Sequence, residues 1–294
     1  HIPVEWADLI GQIISPYCEE DYYSKITPGG FYWITNLYLD SPNWTFLRWK
    51  KSRLLDRFNM PIRTYGEHPD PKGTFHFEVK RKIRNICFKS RATIKGENPS
   101  FVFNHSPEEW PVKTERDRKY LEEYLYKVKT FNANPRLLTQ YKRRAWFSTT
   151  EEYSRVTIDT CMRFREENGF DYTVDPRYMH STGLPRFFAP GCDAVLELKC
   201  PCSQVPFWMM DLIHMLNLKL AGFSKFGNAA AEWQRVYENP SGFRTPNYTH
   251  LAGNFSDKKK KKVYSLYKQK ESYESKSFKI LDASMFSIFC IDCL

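Results

Sequence analysis

Residues 75–82 read FHFEVKRK, and their alternation limits what the chain can fold into more than any other stretch. Phe75, Phe77 and Val79 fall on one side of an extended segment, and His76, Glu78, Lys80 and Lys82 on the other. A period of two excludes a helix and predicts a strand with one apolar and one charged face. The pattern recurs. In 57–65, Arg57, Asn59, Pro61, Arg63 and Tyr65 oppose Phe58, Met60 and Ile62. In 86–92, Cys87, Lys89 and Arg91 oppose Ile86, Phe88 and Ala92. In 154–159, Arg155, Thr157 and Asp159 oppose Val156 and Ile158. In 194–200, Glu197 and Lys199 oppose Ala194, Leu196, Leu198 and Cys200. The segment 138–147 is less clean, with Tyr141, Arg143 and Ala145 opposing Lys142, Arg144 and Trp146.

Nine basic residues share the polar faces: Arg57, Arg63, Lys80, Lys82, Lys89, Arg91, Arg143, Arg155 and Lys199, joined by Glu78 and Glu197. Two arrangements fit. An open sheet can turn its apolar face to helices and its charged face to water. Alternatively, the sheet curls into a barrel with helices outside, and the charges line its interior. Cations in such a tunnel need counter-charge, because desolvating each one unpaired is costly. A polyphosphate chain supplies repeating oxyanions that Arg and Lys bind through charge-assisted hydrogen bonds. Two carboxylates among nine cations make sense as ligands of a divalent metal that bridges phosphate oxygens.

At 294 residues, 41% apolar and 16% aromatic, the chain is globular with room for a sizeable core. Its net charge of +10 favours anionic partners. Helices are predicted over 4–15, from Ser41 and Pro42 onward, and over 115–131, 206–219 and 228–238. Strands are predicted over 31–40, 57–66, 75–83, 86–94, 138–148, 154–162 and 194–200, with a hairpin turn at Arg84-Asn85. Residues 1–238 form the expected domain. Residues 239–294 are turn-rich and carry KKKKK (258–262), which predicts a mobile tail. No signal peptide or membrane span is evident; VPFWMMDLIHML (205–216) is broken by Asp211 and His214 and reads as a core helix. The opening at His1, directly into a helical pattern, leads us to expect a further piece upstream. The pairs CPC (200–202) and CIDC (290–293) could join in a zinc site, but reduced thiols in a cytoplasmic protein fit the eight cysteines better.

Seven motifs, in order, resemble the VTC domain, the polyphosphate polymerase module of the vacuolar transporter chaperone complex and its bacterial relatives, within the CYTH-like triphosphate tunnel superfamily. They are NLYLDS (36–41), IRTYG (62–66), FHFEVKRK with FKSR (88–91), YKRRA (141–145), RVTIDT (155–160), VLELK (195–199) and FSKF (223–226). The resemblance implies an α+β fold: an antiparallel β-barrel with a charged interior and helices packed outside. It implies a polyphosphate polymerase that transfers the γ-phosphoryl of ATP to a growing polyphosphate chain. Arg57, Arg63, Lys80, Lys82, Lys89, Arg91, Arg143 and Arg155 would bind phosphate, with Lys199, Ser224 and Lys225 completing the site near the tunnel mouth. Arg143, Arg155, Glu197 and Lys199 would act at the reacting centre. Glu197, with Glu78 as a second carboxylate, would hold manganese or magnesium. The family also implies membrane-embedded partner subunits, and a first strand upstream of HIPVEW. Pro61 and Gly222 depart from the basic residues that relatives carry there.

Rival readings are a triphosphate hydrolase of the same superfamily and a module that holds polyphosphate without making it. A specific nucleic-acid binder is disfavoured, because its basic face should interleave with stacking aromatics. Here the aromatics fall mostly on the apolar faces.

Overall fold

The alternating segments pair into one antiparallel sheet in the computed structural model, which describes residues 1–84, 86–182, 191–201 and 205–237. Its strands are β1 (Cys18–Glu20), β2 (Tyr32–Asp40), β3 (Asp56–Tyr65), β4 (Thr74–Ile83), β5 (Ile86–Lys95), β6 (Asn134–Ser148), β7 (Arg155–Glu166), β8 (His180–Ser181) and β9 (Ala194–Lys199). The order is β5-β4-β3-β2-β6-β7-β8, with β1 also paired to β6 and β9 to β7. No pairing joins β5 to β9 among the described residues, so the sheet is a curled half-barrel rather than a hydrogen-bonded ring. The helices are α1 (Trp6–Ile14), α2 (Tyr22–Ile26), α3 (Thr45–Lys51), α4 (Phe101–Asn104), α5 (Glu115–Phe131), α6 (Phe207–Met215) and α7 (Lys225–Tyr237).

The apolar faces turn outward under the helices. Ile10 and Ile14 of α1 and Leu212 of α6 pack on Trp146, Val156, Ile158 and Leu198. A separate cluster joins Phe46 of α3 and Leu121 and Tyr124 of α5 to Met60, Ile62, Phe75, Phe77 and Ala92. Each large side chain buried this way contributes about 1.5–3 kcal/mol. The seam runs along β6, whose Leu138 belongs to the second cluster and Trp146 to the first. With both outer sectors apolar, the charged faces have only the concave side left. The curled arrangement, not the open sheet facing water, is the one adopted.

Local boundaries follow from capping. The Thr114 hydroxyl accepts from the Asp117 N–H at the start of α5, and Asn132, at φ 47, ends it in the left-handed region. The helix expected from Ser41 begins instead at Thr45. Asp40 explains the delay: its buried carboxylate accepts from the N–H groups of Ser41, Phe46 and Leu47, holding the intervening turn open. The helix expected over 206–219 stops at Met215, and Asn217 at φ 49 turns the chain away. The last helix starts three residues earlier than expected, because Ser224 Oγ accepts from Gly227 N at 3.0 Å and caps it.

Pro61 sits in a central strand opposite Tyr38 of β2. On its other side the β3–β4 register skips from Asn59↔Lys80 to Ile62↔Phe77. A proline without an N–H accounts for that gap. A Cβ on Gly222 would meet nothing within 4 Å, so a larger residue fits there sterically. Among the described residues, no helix is long and apolar enough to cross a membrane. Cys18, Cys161, Cys192 and Cys200 are free thiols, whereas Cys87 is disulfide-bonded, against the expectation of reduced thiols throughout. Cys202, Cys290, Cys293 and the expected tail lie outside the described residues.

Candidate functional site

Every strand that reaches the concave side delivers its polar face to one cavity of about 710 Å³. Arg57 and Arg63 come from β3, Lys80 and Lys82 from β4, Lys89 and Arg91 from β5, Arg143 from β6, Arg155 from β7, and Glu197 and Lys199 from β9. Ser224 and Lys225 reach in from the start of α7. Counting Lys50 and Arg81, twelve basic residues line it against the carboxylates Asp21, Glu152 and Glu197. That imbalance fits a polyanion.

Glu78 does not line the cavity; it lies fully buried in the wall beneath the β3–β5 cations. Arg91 donates to its Oε1 from Nε at 2.8 Å and from Nη2 at 2.5 Å, and Lys89 Nζ lies 2.8 Å from the same oxygen. Lys80 and Arg63 approach Oε2 at 3.4 and 3.8 Å. Burial alone would raise its carboxyl, but Arg63, Lys80, Lys89 and Arg91 outweigh that and hold it far below the usual range. It is therefore the internal counter-charge of four cations, and both oxygens already face positive groups.

Burial lowers Lys89 to about 8, with Glu78 opposing the fall. The charge on Lys89 is thus lost within the accessible range. Affinity for tripolyphosphate is expected to fall between pH 7 and pH 9, and Lys89→Arg should flatten that fall. An equal decline in the arginine variant would assign the effect elsewhere.

A second group forms where β6, β7 and β9 adjoin. Arg143 donates both Nε and Nη2 to Asp159, at 2.6 and 2.7 Å, and its Nη2 lies 3.6 Å from Glu197 Oε2. Lys225 Nζ is 2.7 Å from Asp159 Oδ2, and Lys199 Nζ 3.0 Å from Glu197 Oε1. Desolvation disfavours the charge on Asp159, yet Arg143 and Lys225 keep its carboxyl well below the ordinary value. Arg143 is 6% exposed, so its guanidinium is fixed in place before any ligand arrives. Tyr141 is enclosed between the groups. Arg143 lies 5.5 Å and Lys225 4.8 Å from its ring centroid. Its buried hydroxyl has no hydrogen-bond partner.

Asp159 and Tyr141 are site residues that sequence reading placed on the right faces without assigning them a role. Each shares strand parity with an arginine (Asp159 with Arg155, Tyr141 with Arg143), and that parity was the available signal. Arg63 is oriented by Asn36, whose Oδ1 accepts from its Nε at 2.9 Å. Asn36 opens the NLYLDS motif, which gives that stretch a job at the site as well as in the turn.

For a metal, the described residues contain no group of three or more His, Cys, Asp or Glu able to enclose one. Glu197 Oε1 is buried, with Lys199 Nζ 3.0 Å away as its charged neighbour. One such oxygen suits a hard cation that takes its remaining ligands from phosphate and water.

The family profile described as the VTC domain matches residues 5–234. No curated protein matches the chain. A solved structure described as a "putative adenylate cyclase" from Bacillus halodurans is similar at 10% identity and a TM-score of 0.41, over 76% of this chain and 90% of that one.

Proposed function

Because the chain belongs to the VTC domain family, we propose that it is a polyphosphate polymerase that moves the γ-phosphoryl of ATP onto the end of a polyphosphate chain. The observation that carries this reading is the cation-lined cavity, in which Arg143 is held rigidly by Asp159 beside Lys225, Lys199 and Glu197. A terminal oxygen of the acceptor chain attacks the γ-phosphorus, the bond to the β-bridging oxygen breaks, and ADP leaves. Such transfer needs alignment and neutralised charge more than covalent help. Arg143, Arg155 and Lys199 would meet the equatorial oxygens, while Arg63, Lys80, Lys89 and Arg91 hold the rest of the chain. Glu197 would hold manganese or magnesium, which when bound would supply positive charge against the charge developing on the transferred phosphoryl. Glu78 is better placed as structural counter-charge, since its oxygens face four cations.

Incubating the purified protein with ATP and manganese should yield a polyphosphate ladder on a gel with stoichiometric ADP. Glu197→Gln should reduce the yield at least about 100-fold, the worth of several kcal/mol of charge stabilisation. Orthophosphate without a ladder would make the protein a hydrolase of the same tunnel type. Tight polyphosphate binding with no turnover would make it a holding module.

A further inference from the structure

Two short turns meet at one end of the sheet. Residues 52–55 link α3 to β3, and the turn that begins at Arg84 joins β4 to β5. They are in contact: the Arg84 N–H donates to the Leu55 carbonyl at 2.6 Å, and Ile83 is the register partner of both Asp56 and Ile86. Turns are ordinarily polar, yet here Leu54, Leu55, Ile86 and Phe88 stand together, 45%, 66%, 62% and 52% exposed. The display is built rather than loose. The Leu54 N–H donates to the Trp49 carbonyl at 2.9 Å, and Arg57 Nη1 donates to the Leu54 carbonyl at 2.6 Å. Arg53 and Arg84 add charge, one in each turn; both are exposed, and neither has an ion-pair partner among the described residues. The carboxylates acting on this end, Asp56 and Glu123, are matched by Arg81 and Lys127, at 2.5 and 3.4 Å.

We propose that this tip docks on an anionic lipid surface, its four apolar side chains entering the interfacial layer and Arg53 and Arg84 meeting the headgroups. The inference does not depend on the reaction assigned to the cavity. Apolar side chains alone would enter any bilayer weakly, and cations alone would hold any polyanion. The two together at one tip select a negatively charged membrane. The tip also projects. Two turns at the end of a sheet form points to be immersed, not a cleft that another protein's side chains could fill. A second copy of the chain suits it less, because self-pairing would set the arginines of one tip against those of the other on a chain of net charge +10. Immersion takes the leucines out of water without requiring a partner of matching shape, while each arginine keeps its charged head among hydrated groups.

The test is co-sedimentation of the full chain with vesicles of phosphatidylcholine alone or mixed with phosphatidylserine, with enough tripolyphosphate present to occupy the cationic cavity. Wild-type protein is expected to pellet with the mixed vesicles and to stay in solution with phosphatidylcholine. Leu54→Ser/Leu55→Ser should weaken binding about tenfold, and Arg53→Asn/Arg84→Asn about 30-fold, roughly fivefold per arginine. Asparagine is chosen because both arginines sit in the left-handed region, at φ 51 and 54, which it tolerates. Melting temperatures should be unchanged, since the replaced side chains are exposed. If wild type leaves both kinds of vesicle unbound, the tip is not a lipid site. If both double variants bind as wild type does, the attraction comes from another basic surface, such as the lysine run at 258–262, and the proposal fails. Binding to phosphatidylcholine as strong as to the mixture would overturn the role given to the arginines. Wild-type dimers in solution that disappear in Leu54→Ser/Leu55→Ser would make the tip a contact between copies instead.

Discussion

Replacing Glu78 with glutamine is expected to lower the melting temperature of the ligand-free protein by about 4–16 °C, from a loss of about 2–4 kcal/mol. The carboxylate is fully buried, and Arg63, Lys80, Lys89 and Arg91 all face it. Removing it leaves four like charges facing one another around a neutral amide. The loss stays below the largest values for broken buried pairs, because Lys89 and Arg91 reach water and are screened. Tripolyphosphate binds only the folded state and brings replacement negative charge, so it should raise the variant's melting temperature more than the wild type's. The pH dependence supplies an independent check. Glu78 titrates below its ordinary value in the folded state. Its contribution is therefore present above the usual carboxylate range and lost as the pH falls beneath that range. The stability gap between wild type and variant should narrow in acid. An unchanged melting temperature at neutral pH would mean that the four cations are balanced by something else.

Arg143→Met is the substitution expected to cost most activity, about 10²–10³-fold in turnover, the scale of losing one fixed donor to developing charge. The guanidinium is buried, planar and held at two points by Asp159, whereas Arg81, which Asp56 holds in the same two-point way, is exposed. Arg143→Lys should recover only part of the loss, since an ammonium cannot occupy both positions of the fork. Methionine leaves Asp159 with Lys225 as its partner, so some destabilisation will accompany the catalytic loss. Tripolyphosphate-induced stabilisation separates the two effects: a folded variant still gains melting temperature with ligand while its turnover is gone. Near-normal turnover in a folded Arg143→Met protein would remove this residue from the reacting centre.

Much of the site was legible in sequence because a strand shows its faces without reference to anything distant. Arg57, Arg63, Lys80, Lys89 and Arg91 needed only parity to be grouped, and β3, β4 and β5 deliver them together. What parity cannot supply is pairing across the sheet. Asp159 looked like any polar residue on β7, because its partners Arg143 and Lys225 lie 16 and 66 positions away in the chain. Glu78 was read as a metal ligand for the same reason; its four cations converge only once β3, β4 and β5 are in register. The delayed start of α3 was hidden too. Ser41 and Pro42 form a good local start signal, but the Asp40 side chain reaches forward to Phe46 and Leu47.

The outer apolar packing divides into separate clusters, the two largest flanked by a third that packs α7 on Tyr38, Leu137 and Phe164, and that division has a consequence for how the molecule breathes. The wall bearing Arg63, Glu78 and Arg91 is backed by one cluster, and the wall bearing Arg143, Asp159 and Glu197 by the other. Units with separate cores can open separately, so amide exchange from β3–β5 and from β7–β9 should follow different opening free energies in the apo protein. A phosphate chain touching both walls ties the two units through its own backbone of oxyanions. Exchange in both should then slow together, and the molecule would behave as one cooperative body only while its ligand is in place.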